Sequence, residues 1–284
     1  MRVAVTGASG KLGRLVVERL LEQGPADDLI LISRSPVRFH PGASVRYGDF
    51  ERPETLPDAF AGADKALIIS TIGIPDTVAA HRAAFAAATR AGVRHIVYTS
   101  VLNPVPGNPF PPAATHGHSE ADLVSTGVAW TILRNALYAD LRVQIASSYI
   151  RVGRWTTNIG PGAHAFVARA DCAAAAAAAA AALTTPGHEG RRYTVTGPDL
   201  VDADGYVTLL QQVAGGPIER VDVDDDAYER YRGEFVRDPA NTGLFELFTG
   251  TGQAIREGYL GEIGAGVQQL TGRAPVSLRD MFSR

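Results

Sequence analysis

Cysteine is almost absent from this chain of 284 residues, in which Cys172 stands alone. A single thiol excludes an internal disulfide framework and indicates a reducing compartment. Lysine is nearly as scarce, since Lys11 and Lys65 are the only two. The net charge of −3 gives no electrostatic basis for binding nucleic acid or an anionic membrane surface. We therefore expect a cytoplasmic protein with neither kind of partner.

Long apolar runs are missing as well. The ten alanines at 173–182 are too few and too weakly apolar to span a membrane, and a helix capped by Asp171 explains them better. We expect no targeting segment, because the first strand is predicted to start at residue 3 without a charged leader or an apolar targeting stretch before it. The chain is long enough to bury a core as one large domain or two smaller ones.

Glycine, in contrast, recurs at a regular spacing near the start of the chain, in the segment VAVTGASGKLG at residues 3–13. Gly7 permits a tight turn, Gly10 lets a phosphate approach the backbone, and Gly13 lets the following helix pack closely on the strand. The amide groups and the positive end of that helix would face the pyrophosphate of a dinucleotide. The spacing therefore predicts a dinucleotide site, with an ordinary strand-to-helix turn as the alternative.

Apolar runs of strand length alternate with helical patterns over the first two-thirds of the chain. Further strands are predicted at 29–32, 66–70, 94–100, 130–134 and 192–196, and further helices at 77–91 and near 119–125. Continuous apolar runs are typical of strands that are covered on both faces. The pattern predicts an α/β fold built on a Rossmann-type doubly wound parallel sheet.

The composition changes near residue 198 to short elements rich in Gly, Asp and Glu. We therefore predict two parts. Residues 1–140 and 165–197 would form the NAD(P)-binding domain, and residues 141–164 and 198–284 would form a smaller α/β lobe. The lobe would cover the substrate at the carboxyl edge of the strands.

The end of the second predicted strand distinguishes between the two nicotinamide dinucleotides. An acidic residue there would hold the ribose hydroxyls, whereas an arginine would pair with a 2′-phosphate. The chain has Arg34 between two serines, with Arg38 one turn later and no carboxylate. This predicts NADPH in preference to NADH, unless Arg34 is only a solvated surface residue. Asp49 is predicted to border the adenine, with a turn residue as the alternative.

Several segments together resemble a known group of proteins. Residues 6–13 look like the signature of atypical short-chain dehydrogenases. The segments 81–82, 91–100, 126–138 and His116-x-x-x-Glu120 are similar to the NmrA-like family, and most of all to its NADPH:quinone oxidoreductase branch. The segments 168–171, 188–190, 193–197 and 270–278 extend the resemblance over nearly the whole chain. The family implies hydride transfer from NADPH to a quinone or a quinonoid or aromatic carbonyl compound, and it is compatible with a homodimer.

The resemblance also implies which residues contact the cofactor. They lie in the glycine-rich turn, after the strand at 29–32, around residue 49, and at the ends of the strands at 66–70 and 94–100: Thr6, Gly7, Ser9, Gly10, Lys11, Leu12, Gly13, Arg34, Arg38, Asp49, Phe50, Ser70, Thr71, Ile72 and Ser100.

One catalytic pair is missing. Orthodox short-chain dehydrogenases use Tyr-x-x-x-Lys, in which the ammonium lowers the tyrosine pKa, but neither lysine here follows a tyrosine by four residues. At the position where some NmrA-like proteins carry a lysine, this chain has His116. A quinone can be reduced without the Tyr-x-x-x-Lys pair, because hydride addition gives an aromatic hydroquinone anion that water or a weak acid can neutralise. We expect no metal ion.

In the family the substrate lies over the nicotinamide. This implies catalytic roles for Ser100, His116 and Tyr138, and substrate contacts for Phe110, His116, Asn135 and Tyr138. The alternative for Asn135 is a buried side chain that braces the loop after the strand at 130–134, and the alternative for Tyr138 is a packed ring. Phe110 lies among the prolines of 104–112, which predict a stiff loop carrying an aromatic lid.

Two of these residues have specific alternatives. Ser100 would hold a carbonyl oxygen, unless its hydroxyl is bonded to the backbone at the strand end. His116 would donate a proton, unless it stands at a helix start and pairs with Glu120 one turn later.

Two other functions are compatible with the sequence. One is an NADP(H)-binding redox sensor that regulates partners without turnover. The other is a tailoring reductase that acts on a polycyclic aromatic metabolite through the same hydride chemistry.

Overall fold

The computed structural model describes residues 1–35, 42–71, 73–181, 187–235, 237 and 249–283. The strands are β1 (Val3–Val5), β2 (Leu29–Ser33), β3 (Ser44–Tyr47), β4 (Lys65–Ile68), β5 (His95–Val101), β6 (Ala129–Asn135), β7 (Leu137–Tyr138), β8 (Arg154–Thr157), β9 (His164–Val167), β10 (Arg191–Val195), β11 (Leu200–Val201) and β12 (Glu219–Asp222). The helices are α1 (Lys11–Leu21), α2 (Leu56–Phe60), α3 (Thr77–Arg90), α4 (Pro111–Ser125), α5 (Ala139–Val152), α6 (Arg169–Ala181), α7 (Ala203–Ala214), α8 (Asp225–Phe235), α9 (Thr249–Arg256), α10 (Gly266–Thr271) and α11 (Leu278–Phe282).

Seven strands form one parallel sheet in the order β10-β6-β5-β4-β1-β2-β3. The predicted doubly wound sheet is confirmed, including the late strand β10, which pairs with β6. The chain moves outward from β1 through β2 to β3 and then returns to β4 on the other side of β1. In sheets of this kind the reversal opens a crevice at the carboxyl ends of the strands, where ligands bind.

Both faces of the sheet are buried. Side chains alternate between the faces of a strand, so that Leu29 and Leu31 of β2 join the cluster containing α1 and α6, while Ile30 and Ile32 join the one containing α2 and α3. This explains why the strands read as continuous apolar runs.

The alanine-rich helix begins earlier than predicted. Helix α6 starts at Arg169, which places Asp171 in the first turn instead of at the cap. The buried Asp171 carboxylate accepts the backbone N–H of Val276 at 2.7 Å. The predicted capping role is therefore wrong, and Asp171 instead ties the C-terminal segment to α6.

Helix α4 also begins earlier than the predicted start near residue 119. Pro111 and Pro112 occupy its first two positions, where a helix does not use the N–H that proline lacks. Phe110, just before them, is only 6% exposed and packs in the main core. The predicted aromatic lid is therefore wrong, because these prolines start a helix and Phe110 is an interior side chain.

Two small sheets lie beside the large one. One has the order β11-β9-β7, and the other pairs β8 with β12. The first joins strands from both sides of the predicted boundary at residue 198, and the division into two domains stays a prediction. Among the described residues, no helix is long and apolar enough to cross a membrane, and no group of three His, Cys, Asp or Glu is arranged to hold a metal ion.

Candidate functional site

A cavity of about 310 Å³ opens at the carboxyl ends of β1, β2 and β4, at the point where the strand order reverses. It is lined by Thr6, Gly7, Ser9, Gly10, Lys11, Leu12, Gly13, Ile32, Ser33, Arg34, Ser35, Gly48, Asp49, Phe50, Glu51, Ile69, Ser70, Thr71 and Ile74. Most residues predicted to contact a cofactor are therefore brought together. Arg38 and Ile72 lie outside the described residues, and Ser100 does not line the cavity.

Two of the three glycines in the first turn, Gly7 and Gly13, have the predicted geometry. Gly7 has a φ of +61°, and its carbonyl accepts the N–H of Gly10 at 2.8 Å. A side chain at Gly13 would collide with the Gly7 carbonyl, so glycine is needed there for α1 to pack against the turn. Gly10 caps α1 and lines the cavity. The first turn of α1 thus points its amide groups at the cavity.

Serine hydroxyls and one ion pair form the side of the cavity at the end of β2. Ser33 Oγ lies 2.6 Å from Ser9 Oγ and accepts the N–H of Ser35 at 3.0 Å. The Arg34 side chain is 64% exposed, and its guanidinium lies 3.8 Å from the Glu51 carboxylate. A cation and an anion therefore stand together where the sequence predicts the 2′-phosphate.

The turn after β3 carries two further lining residues. Asp49 Oδ1 accepts the N–H of Glu51 at 3.1 Å, so Asp49 shapes a turn as well as facing the cavity. The ring of Phe50 meets the ring of His81 edge-on, with the centroids 6.4 Å apart. Both readings of Asp49 are thus compatible with its position.

Ser100 does not line the cavity and lies in a cluster of charges around the buried Glu120 carboxylate. Its hydroxyl donates to Glu120 Oε1 at 2.7 Å, and Arg134 binds both oxygens of the same carboxylate at 3.0 and 2.7 Å. Arg192 adds a third cationic contact at 3.2 Å. The expected alternative, a hydroxyl bonded to the backbone, is therefore wrong. A substrate carbonyl would have to displace Glu120 to receive the Ser100 proton.

His116 is buried within α4. Its Nδ1 lies 3.0 Å from the Tyr98 hydroxyl, and Glu120 binds the arginines instead of His116. The alternative of a His116–Glu120 pair is therefore wrong. Burial lowers the pKa of His116 to about 3, with a smaller contribution from nearby His81. The imidazole is neutral at pH 7, so any proton it gives must come from the neutral ring.

Asn135 and Tyr138 follow β6, at the carboxyl edge of the sheet. Asn135 is buried, and its Oδ1 has no hydrogen-bond partner within the described part of the chain. The Arg169 guanidinium lies over the half-buried Tyr138 ring, 4.8 Å from the centroid, and pairs with Asp140 at 3.3 Å. The cavity does not include Phe110, His116, Asn135 or Tyr138, whose predicted contacts with substrate stay predictions.

Some lining residues were not singled out from the sequence. Ser33 and Ser35 flank Arg34, and Glu51 follows Phe50. Their position next to predicted cofactor residues could have identified them from the sequence. Ile69 and Ile74 gave no signal beyond their position near the end of a buried strand.

The chain is similar in sequence to a known protein family and to a quinone oxidoreductase. Residues 7–183 match the model of a family described as NAD(P)H-binding. Quinone oxidoreductase 2 of Escherichia coli (strain K12) is 34% identical over 216 residues, which cover 75% of this chain and 72% of that protein.

Two crystal structures resemble the whole chain. The NADPH-dependent quinone oxidoreductase QOR2 of Escherichia coli, complexed with NADPH, aligns with a TM-score of 0.89 and 28% identity, covering 99% of this chain and 98% of the other. The triphenylmethane reductase of Citrobacter sp., complexed with NADP(H), aligns with a TM-score of 0.88 and 30% identity, covering 100% and 99%.

Proposed function

Because this chain belongs to the NAD(P)H-binding family, we propose that it transfers hydride from NADPH to a quinone or another quinonoid or aromatic small molecule. The NAD(P)H-binding model, together with the likeness to the quinone oxidoreductases of Escherichia coli, confirms the resemblance to the quinone oxidoreductase branch. The observation that carries the proposal is the cavity at the strand reversal, walled by the glycine-rich turn on one side and Arg34 on the other.

The residues around this cavity fit a dinucleotide phosphate. Gly10 lines the cavity next to the first turn of α1, and a Cβ there would lie only 3.1 Å from the Gly7 carbonyl oxygen, so the turn favours bare backbone facing the phosphate. We assign the cofactor contacts to the lining residues that were predicted: Thr6, Gly7, Ser9, Gly10, Lys11, Leu12, Gly13, Arg34, Asp49, Phe50, Ser70 and Thr71. NADPH, when bound, supplies the hydride.

The protein's own contribution to the reaction would be mainly alignment. The hydroxyl of Ser100 is engaged by Glu120, and the imidazole of His116 is neutral. A quinone that has accepted hydride carries its new negative charge on an oxygen attached to an aromatic ring, so water can supply the one proton needed to neutralise it. Orienting the acceptor and excluding other reactions are then the tasks left to Asn135 and Tyr138, the residues predicted at the carboxyl edge.

Turnover is tested by following NADPH oxidation with a panel of benzoquinones and naphthoquinones. Gly10→Val should weaken NADPH binding by about a hundredfold or more, because a branched side chain takes the place of the phosphate. Gly24→Ala is the control, since Gly24 lies in open space beyond the other end of α1. Tight NADPH binding without turnover on any quinone would favour the redox-sensor function. Unchanged binding in Gly10→Val would remove the proposed phosphate site.

Arg34→Ala tests the choice of cofactor. Loss of a charge-assisted contact to the 2′-phosphate should weaken NADPH binding at least about tenfold and leave NADH binding nearly unchanged. Glu51→Gln should act in the opposite direction, because the neutral amide no longer competes for Arg34 or repels the phosphate. Arg19→Ala, an exposed ion-pair residue at the far end of α1, is the control in calorimetric titrations. Equal weakening of both cofactors by Arg34→Ala would contradict the assignment.

The oligomeric state of the protein and its location in the cell are separate from its proposed activity. A homodimer and a cytoplasmic location stay predictions from the sequence. Sedimentation velocity of the purified chain measures the first directly.

A further inference from the structure

Three side chains hold the backbone that follows β4. The N–H of Ile69 donates to Thr6 Oγ1 at 3.0 Å, and the N–H of Ser70 donates to Thr99 Oγ1 at 2.9 Å. The N–H of Thr71 donates to Nε2 of His81 at 3.0 Å. Three consecutive amides at the edge of the cavity are therefore satisfied by side chains from three different places in the fold: the turn after β1, strand β5 and helix α3.

The third of these contacts fixes the protonation of His81. A backbone N–H can only donate, so Nε2 must be the unprotonated nitrogen, and the proton must sit on Nδ1. Nδ1 lies 2.9 Å from Ser119 Oγ, and that hydroxyl donates to the carbonyl of Thr115 at 2.9 Å. His81 is completely buried, and burial lowers its pKa to about 4. The neutral tautomer is therefore the one present at pH 7.

His81 also connects the cavity to the buried histidine of α4. The Tyr98 hydroxyl lies 3.2 Å from His81 Nδ1 and 3.0 Å from His116 Nδ1. Because His81 Nδ1 carries a proton, the tyrosine hydroxyl is free to donate to His116. On its other side, the His81 ring supports Phe50, which lines the cavity.

We propose that His81 is a positioning residue of the cofactor site, because its Nε2 holds the Thr71 amide at the edge of the cavity. This role rests on the proposed function, since it acts through Thr71, a residue assigned to the cofactor. His81 does not line the cavity itself. It ties the edge of the cavity at Thr71 to the helix layer made by α3 and α4.

Two substitutions separate the positioning role from simple packing. In His81→Gln, the side-chain oxygen reaches the place of Nε2 and can still accept the Thr71 N–H. In His81→Asn, the shorter amide reaches only the place of Nδ1, so it keeps the contact with Ser119 and leaves Thr71 without an acceptor. Both remove the ring, and we expect similar losses in melting temperature.

The measurements are hydrogen exchange of the Thr71 amide without cofactor and calorimetric titration with NADPH. In His81→Asn, exchange at Thr71 should speed up, and NADPH should bind about tenfold more weakly. In His81→Gln, NADPH affinity should stay within about threefold of the wild type. His118→Gln, at an exposed position on α4, is the control.

Each outcome bears on the proposal. Unchanged exchange at Thr71 in His81→Asn, or equal weakening of NADPH binding by both substitutions, would overturn it. A wild-type protein that fails to bind NADPH would instead overturn the proposed function, and with it the role of His81 in cofactor binding. The exchange result still decides whether the Thr71 contact exists.

Discussion

Lowering the pH from 7.5 to 5 should reduce the free energy of unfolding by about 2 kcal/mol for each of His81 and His116. Burial lowers their folded-state pKa values to about 4 and about 3, from 6.5 in the unfolded chain. Below pH 6.5 the unfolded state therefore takes up protons that the folded state refuses. The stabilisation is complete above pH 6.5 and is lost progressively as the pH falls towards 4.

Urea denaturation at the two pH values measures this loss, and His116→Gln assigns it. The variant should be less stable than the wild type at pH 7.5, but its stability should fall by about 2 kcal/mol less on going to pH 5. His118→Gln, on the exposed side of the same helix, should keep the full pH dependence. A wild-type pH dependence in His116→Gln would contradict the assignment.

Glu120→Gln should destabilise the protein by about 3 kcal/mol. The substitution keeps the shape of the side chain and an acceptor for Ser100, but it removes the negative charge between Arg134 and Arg192. Glu120 is almost completely buried, whereas both arginines are partly exposed, so water recovers some of the loss.

Asp122→Asn provides a matched control for this change. Asp122 lies on the same helix and also pairs with an arginine, Arg82, but that arginine is largely exposed. Loss of this surface pair should cost about 0.5 kcal/mol, measured by the same denaturation experiment. Equal effects of the two substitutions would show that the buried cluster contributes no more than a surface ion pair.

The sheet and the glycine-rich turn could be predicted because their signals are local. The apolar runs of β2, β4, β5 and β6 are explained by burial of these strands on both faces. Gly7 and Gly13 are explained by the backbone geometry of the turn that contains them. The start of α4 was missed for the opposite reason. Prolines end helices more often than they lie inside them, but Pro111 and Pro112 stand at the one place where a helix accepts them.

The partners of the polar residues could not be predicted in the same way. Ser100, Glu120, Arg134 and Arg192 come from β5, α4, β6 and β10, and they meet only because these elements are adjacent in the folded sheet. His81 is separated from the Thr71 amide by ten residues and a turn. A sequence shows which side chains can bond, but the distances between elements decide which of them do.

The alanines of α6 affect how closely α1, whose first turn lines the cavity, can pack. Helix α1 packs along α6, whose buried face is almost entirely methyl groups. Such a surface is smooth, since alanine has no side-chain ridges to interlock with a neighbouring helix. Because interaxial distance depends on the side chains at the contact, the axes of α1 and α6 can come closer together than larger side chains would allow. On its other side, the first turn of α1 lies close to the turn after β1 because Gly13 has no Cβ to meet the Gly7 carbonyl.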